Sequence, residues 1–139
     1  MELITEKQIE VRFSEVDVMK VVWHGAYPLY FEDAREAFGK EHGLSYNRYL
    51  DEHVYAPIVE LNVQYKRPLL YGMTPLVRIK YVPTPAAKII FHYEIVDPDD
   101  GTVFATAQSV QVFMDMDYQL LWYSPDFYVE WKKSKGLET

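Results

Sequence analysis

The 139-residue sequence has no cysteine, which removes a disulfide scaffold, a thiolate metal site and a cysteine nucleophile together. Its four histidines, His24, His42, His53 and His92, show no His-x-His or carboxylate-His repeat, so no metal site is expected. The six glycines form no phosphate-binding loop, which sets nucleotide hydrolysis aside. No serine sits in a Gly-x-Ser-x-Gly context, so a serine hydrolase is not expected either. No uncharged stretch approaches ~18 residues, and residues 1–7 lack a basic region leading into an apolar run. The expectation is a cytoplasmic protein with no membrane association. Lys and Arg number 14 against 21 Asp and Glu, a formal charge of −7, with no basic run. A phosphate backbone is therefore a poor partner, and no nucleic acid is expected.

What the chain does have is apolar and aromatic: 49% hydrophobic residues, with 3 Trp, 12 Tyr and 7 Phe. A chain of this length buries roughly 70% of its unfolded surface, enough for one core. Residues 1–139 read as a single domain with no linker or internal repeat.

Residues 1–15 alternate loosely, with Ile4, Ile9, Val11 and Phe13 among charged neighbours, the period-two pattern of a strand. After Asp17 and an apolar knot ending in Trp23-His24-Gly25 the period changes. Tyr27, Tyr30, Phe31, Ala34, Ala37 and Phe38 fall on one face of a helix, opened by Pro28 in its first turn and closed by Gly43. Residues 45–53 read as a second, short helix. From Tyr55 onward the pattern is β: Val59, Leu61, Val63 and Tyr65 alternate with polar residues, as do Val77, Ile79 and Tyr81. Lys88–Val96 and Thr102–Met116 follow, joined by Asp97-Pro-Asp-Asp-Gly101, a hairpin turn sequence. Ser124-Pro125 reads as a cap and first-turn proline before a C-terminal helix that ends at Gly136. This order gives an α+β fold, a five-stranded antiparallel sheet around one long helix plus a short C-terminal one.

The chemistry concentrates where the first strand meets the helix. The first amides of a helix lack intrahelical acceptors and sit at its positive end, so they stabilise an anion or a polarised carbonyl oxygen. A carboxylate on the approach loop, Asp17, could then serve as nucleophile or general base. By default, though, Asp17 is a turn carboxylate, His24 a cap, Trp23 a core residue, and Glu32 with Arg35 a surface ion pair worth ~0.3–0.5 kcal/mol.

The stretch from Phe13 to Arg35, with Asp17, Val21-Val22-Trp23-His24, Tyr27 and Phe31-Glu32-Asp-Ala34-Arg35, resembles the signature of the 4-hydroxybenzoyl-CoA thioesterase family of hotdog-fold acyl-CoA thioesterases. Tyr65-Lys-Arg-Pro-Leu-Leu-Tyr-Gly72 and the element order agree as well. The resemblance implies a hotdog fold and hydrolysis of short-chain or aromatic acyl-CoA to free acid and CoA without a cofactor. It implies Asp17 as the catalytic carboxylate and the His24 and Gly25 amides as oxyanion donors, with the His24 side chain also implicated. It further implies a homodimer or homotetramer with active sites between subunits. Trp23 and Tyr27 are candidate substrate contacts, with Tyr30 and Tyr55 as further pocket aromatics. Lys88 is the one cation left at a position where some members bind nucleotide phosphates. The family's glycine three residues after the Asp is Lys20 here, which trades backbone freedom for a cation at the mouth. Two other readings stand beside this one. An acyl-carrier-protein thioesterase would dock its acidic partner on Lys132, Lys133 and Lys135, and a non-catalytic acyl-CoA-binding module would bind without turnover.

Overall fold

The computed structural model describes residues 2–137. Five strands, β1 (Ile4–Gln8), β2 (Ile58–Tyr65), β3 (Leu76–Val82), β4 (Lys88–Val96) and β5 (Val103–Val112), form one sheet in the order β1-β3-β4-β5-β2, every neighbour antiparallel. The long helix α1 (Tyr27–His42) crosses one face of it, and two shorter helices, α2 (Tyr46–Asp51) and α3 (Asp126–Ser134), complete the fold. No helix among the described residues is long and apolar enough to cross a membrane.

Alternation decides which face receives the helix. Val77, Ile79 and Tyr81 of β3 and Ile89, Phe91, Tyr93 and Ile95 of β4 are all buried on the inner side. On α1, Tyr27, Tyr30, Phe31, Ala34 and Phe38 are buried at helical spacing. Phe31 packs on Tyr93 at 4.8 Å between ring centroids, and Phe38 on Phe91 at 5.0 Å. Each fully buried Phe contributes about 2–3 kcal/mol relative to exposure. Gly43 ends the helix at φ 92°, its amide bonded to Gly39 O at 2.7 Å, the left-handed stop that glycine adopts without a Cβ penalty. The outer face is wet and charged, with Arg78 between Glu6 (3.0 Å) and Glu94 (3.4 Å), and Lys80 on Glu2 (2.7 Å).

Four details depart from the sequence expectation. The first strand stops at Gln8 rather than near 15, because its partner β3 begins only at Leu76. Ile9 and Val11 still donate to Pro75 and Met73 carbonyls, but residues 13–15 close into a 3-10 turn and leave Phe13 77% exposed. The last strand ends its regular ladder at Val112, after which Met114 bridges both Tyr55 and Leu120 around a turn at Asp115–Gln119. Ser124 does not cap α3; Pro125 occupies that position with no side-chain cap bond. Finally, β2 is an edge strand whose apolar residues Ile58, Val59, Leu61 and Tyr65 are exposed in the single chain rather than buried on one face.

The two ends of the helical layer are tied together late in the chain. Trp131 of α3 donates its indole N–H to His42 O, the last residue of α1, at 2.6 Å. It also stacks on Tyr128, whose hydroxyl meets that of Tyr81 in the core.

Candidate active site

Residues 15–23 form a short antiparallel loop. Asp17 N donates to Val21 O at 2.9 Å, Trp23 N to Glu15 O at 3.1 Å, and Val16 faces Val22. The tip turns through Lys20, whose amide donates to Asp17 O at 3.0 Å and whose φ is 67°. That left-handed conformation explains why the motif has glycine there. The bend is retained, and Lys20 bears its Cβ cost of about 1–2 kcal/mol.

Asp17 stands at this tip, exposed, with Oδ1 accepting the Met19 amide at 2.8 Å. Val18 and Met19 beside it are fully and largely exposed. Past the loop, a 3-10 turn (His24–Ala26) leads into α1. The Ala26 and Tyr27 amides are spent on Trp23 O and His24 O, whereas the His24 and Gly25 amides have no acceptor among the described residues. Two unpaired N–H groups at the positive end of a 16-residue helix are the donor set that a carbonyl oxygen gaining negative charge requires. Gly25 is required here by space. A Cβ on it would lie 1.9 Å from the Trp23 ring, which covers the turn.

The structure therefore brings Asp17, Trp23, His24 and Gly25 onto one loop-helix junction, with Trp23 and His24 exposed. The other expected residues lie elsewhere. Tyr27 and Tyr30 are buried in the core; Tyr27 packs on Tyr65 at 4.8 Å, and burial pushes its hydroxyl above the usual tyrosine pKa. Lys88 is exposed and pairs with Val112 at the end of β5 remote from this junction. Strand rise puts that about 30 Å from Val103. Tyr55 stacks on Tyr118 at 5.3 Å in a different cavity, next to α2. Arg35 does not pair with Glu32; its Nη1 donates to Tyr93 Oη at 3.3 Å. Of the three lysines considered as a basic docking patch, Lys132 is buried, its Nζ donating to Thr84 O at 3.1 Å, which leaves only Lys133 and Lys135.

Two residues that the sequence reading passed over hold the junction in place. Glu15 is buried; its Oε1 accepts Arg12 N at 2.9 Å and Tyr30 Oη at 2.8 Å, tying the loop to α1. Burial and this carboxylate together push the Tyr30 hydroxyl strongly upward. The available signal was parity, since Glu15 keeps the spacing of the buried Ile9 and Val11, although Phe13 between them is exposed. Tyr65, at the end of β2, donates its hydroxyl to His24 O at 3.2 Å.

Comparison with known proteins places the fold and the family of the chain. The family described as the thioesterase-like superfamily matches residues 11–131, a broader grouping than the 4-hydroxybenzoyl-CoA thioesterase family that the motif resembles. Among curated relatives, a Bacillus subtilis (strain 168) protein named "Putative acyl-CoA thioesterase YneP" is 31% identical over 136 residues, 95% of this chain and 98% of the relative. The solved structure of hypothetical protein TT1821 from Thermus thermophilus superposes with a TM-score of 0.82 at 27% identity, covering 100% of this chain and 99% of that one. DHNA-CoA thioesterase from Staphylococcus aureus gives 0.75 at 25% identity, over 98% and 97% of the two chains.

Proposed function

The chain belongs to the thioesterase-like superfamily, and from that membership we propose that it hydrolyses acyl-CoA thioesters at the junction of Asp17 with the start of α1. The observation that carries the reading is the pair of unpaired amides of His24 and Gly25, on the same loop-helix unit as a carboxylate that makes no ion pair among the described residues. The thioester carbonyl oxygen accepts from those amides. Asp17 then either attacks the carbonyl carbon, expelling CoA as thiolate and leaving an acyl anhydride for water to cleave, or takes a proton from the attacking water. Donors of this kind contribute ~10²–10³ in rate apiece in other hydrolases. To the exposed His24 imidazole, on the same turn as the amides, we assign the return of a proton to the departing sulfur.

In a single chain Asp17 faces solvent, so the reading requires a second copy to enclose it. The free edge of β2 supports that requirement, because Ile58, Val59 and Leu61 are exposed along it and an unpaired apolar edge invites pairing. Two-fold antiparallel pairing centred on Leu61 and Asn62 sets Ile58 beside the partner's Tyr65, which holds the His24 carbonyl. The catalytic junction of one copy then meets the start of β2 and the Lys88 end of the sheet in the other. This arrangement makes Lys88 a phosphate contact for its neighbour's substrate.

The test is a panel of short-chain and aryl acyl-CoA thioesters with thiol release as readout, on the native protein and Asp17→Asn, beside sedimentation analysis. Expected are a dimer or larger assembly, turnover of at least one thioester, and a loss of about a thousandfold in the Asn variant with the fold retained. Near-normal turnover of Asp17→Asn removes Asp17 from the mechanism. Tight acyl-CoA binding without turnover in the native protein replaces hydrolysis with a binding role.

A further inference from the structure

The two amides assigned to the thioester oxygen are not equivalent donors, because the peptide carbonyls behind them are loaded differently. The His24 N–H shares a peptide with the Trp23 carbonyl, which accepts Ala26 N at 3.0 Å. The Gly25 N–H shares a peptide with the His24 carbonyl, and that oxygen accepts from two sides: Tyr27 N from the helix and Tyr65 Oη from β2, the latter at 3.2 Å. No peptide among the described residues is cis, so the His24 carbonyl and the Gly25 N–H point to opposite sides of one rigid plane. A donor on the oxygen therefore acts on the hydrogen in two ways. It holds the plane, and through the conjugated amide it draws charge onto the oxygen and leaves the N–H a stronger donor, by about 10–30% per bond.

The sheet delivers Tyr65 to that oxygen from 41 positions along the chain. Tyr65 closes β2 opposite Ala105, and the two amides after it, those of Lys66 and Arg67, both donate to Phe104 O at 2.8 and 3.0 Å. Its ring meets the buried Tyr27 ring edge-on at 4.8 Å, against the first residue of α1. Backbone and ring are thus both held where the hydroxyl makes its bond. The residue is 51% exposed, so water is at hand for the hydroxyl and burial does not force it onto His24. For the same reason its removal strands no buried group, since the His24 carbonyl keeps Tyr27 N.

We propose that Tyr65 is a positioning residue for the hydrolysis: its hydroxyl holds and polarises the His24–Gly25 peptide so that the Gly25 N–H meets the charge developing on the thioester oxygen. The proposal rests on the thioesterase reading and deepens it. Negative charge on that oxygen is larger in the transition state than in the bound thioester, so a more polar N–H favours the former. The effect therefore belongs in kcat, with KM left in place.

The test compares native protein, Tyr65→Phe and Tyr65→Leu on whichever of acetyl-CoA, butyryl-CoA and benzoyl-CoA the native protein hydrolyses fastest, with thermal melts to confirm folding. Phenylalanine keeps the ring against Tyr27 and removes only the hydroxyl. It is expected to lower kcat about three- to tenfold, the scale of one neutral hydrogen bond, with KM unchanged and leucine at least as impaired. In NMR spectra of the ligand-free protein, the amide nitrogen and proton resonances of Gly25 should move upfield in Tyr65→Phe, as the peptide loses polarisation. A phenylalanine variant with native kcat, a loss confined to KM, impairment in leucine alone, or a Gly25 resonance that stays in place overturns the proposal while leaving hydrolysis intact. Should none of the thioesters turn over, hydrolysis fails separately and the spectra decide: an upfield Gly25 shift sustains the polarising bond, and an unmoved one overturns it.

Discussion

Replacing Glu15 with leucine should cost the fold about 2–4 kcal/mol, although Glu15 touches no proposed substrate group. The carboxylate accepts two donors through Oε1, the part-buried Arg12 N at 2.9 Å and the buried Tyr30 Oη at 2.8 Å, and a hydrogen bond to a charged acceptor is worth about 1.5–3 kcal/mol. The Arg12 Nε contact at 3.2 Å adds little, because the Arg12 side chain is 67% exposed and an ion pair that open to water contributes ~0–1 kcal/mol. Leucine recovers about 1–2 kcal/mol by burying apolar surface but leaves the Tyr30 hydroxyl and the Arg12 amide stranded. Glu15→Gln, by contrast, keeps an acceptor at Oε1 and should lose only ~1 kcal/mol. Urea unfolding of both variants, with matched slopes, measures the difference. A cycle with Tyr30→Phe isolates the central contact. Coupling of about 1–2 kcal/mol between Glu15→Leu and Tyr30→Phe is expected. Strict additivity, or a leucine variant within ~0.5 kcal/mol of native, refutes the role assigned to this carboxylate.

Lys20→Gly should stabilise the protein by about 1 kcal/mol, since glycine adopts φ 67° without the Cβ clash and its looser unfolded chain offsets part of the gain; a loss of stability in urea unfolding contradicts the bend described. At alkaline pH, Tyr30, Tyr49 and Tyr128 all have hydroxyls pushed upward chiefly by burial. The folded chain then holds protons that the unfolded chain releases above pH ~10, so stability is full below that point and falls as pH rises through it. Lys132 opposes this, because burial lowers its pKa and stability gains as pH climbs toward ~10.5. Urea midpoints from about pH 8 to 11 should fall overall, and more steeply in Lys132→Met; a flat profile in both contradicts the burial of these groups.

The helix and the central strands were legible because one periodicity governs each: α1 is bounded by Pro28 and Gly43 as read, and β4 spans Lys88–Val96 as read. What misled was pattern without a partner. Phe13 alternates correctly with Val11 yet is exposed, because no strand lies opposite it. Likewise β2 alternates as if one-faced, but along this free edge its apolar residues Ile58, Val59, Leu61 and Tyr65 are exposed. For the candidate site, the loop-helix junction could be read from spacing because its donors are backbone amides at a helix start. Glu15 could not, since a carboxylate counts as surface until its acceptors are seen filled. Arg35 and Gln111 are 76 positions apart, and only the packing of α1 across the sheet places them in one cavity, next to α2.

The bond from Trp131 to the end of α1 spans 89 residues. It means that a growing chain cannot tie down the end of its first helix until residue 131 has left the ribosome. Until then Tyr81 lacks Trp131 and Phe113 lacks Tyr128 as packing partners, and a nonsense mutation anywhere before residue 126 releases a product without α3 to cover those rings.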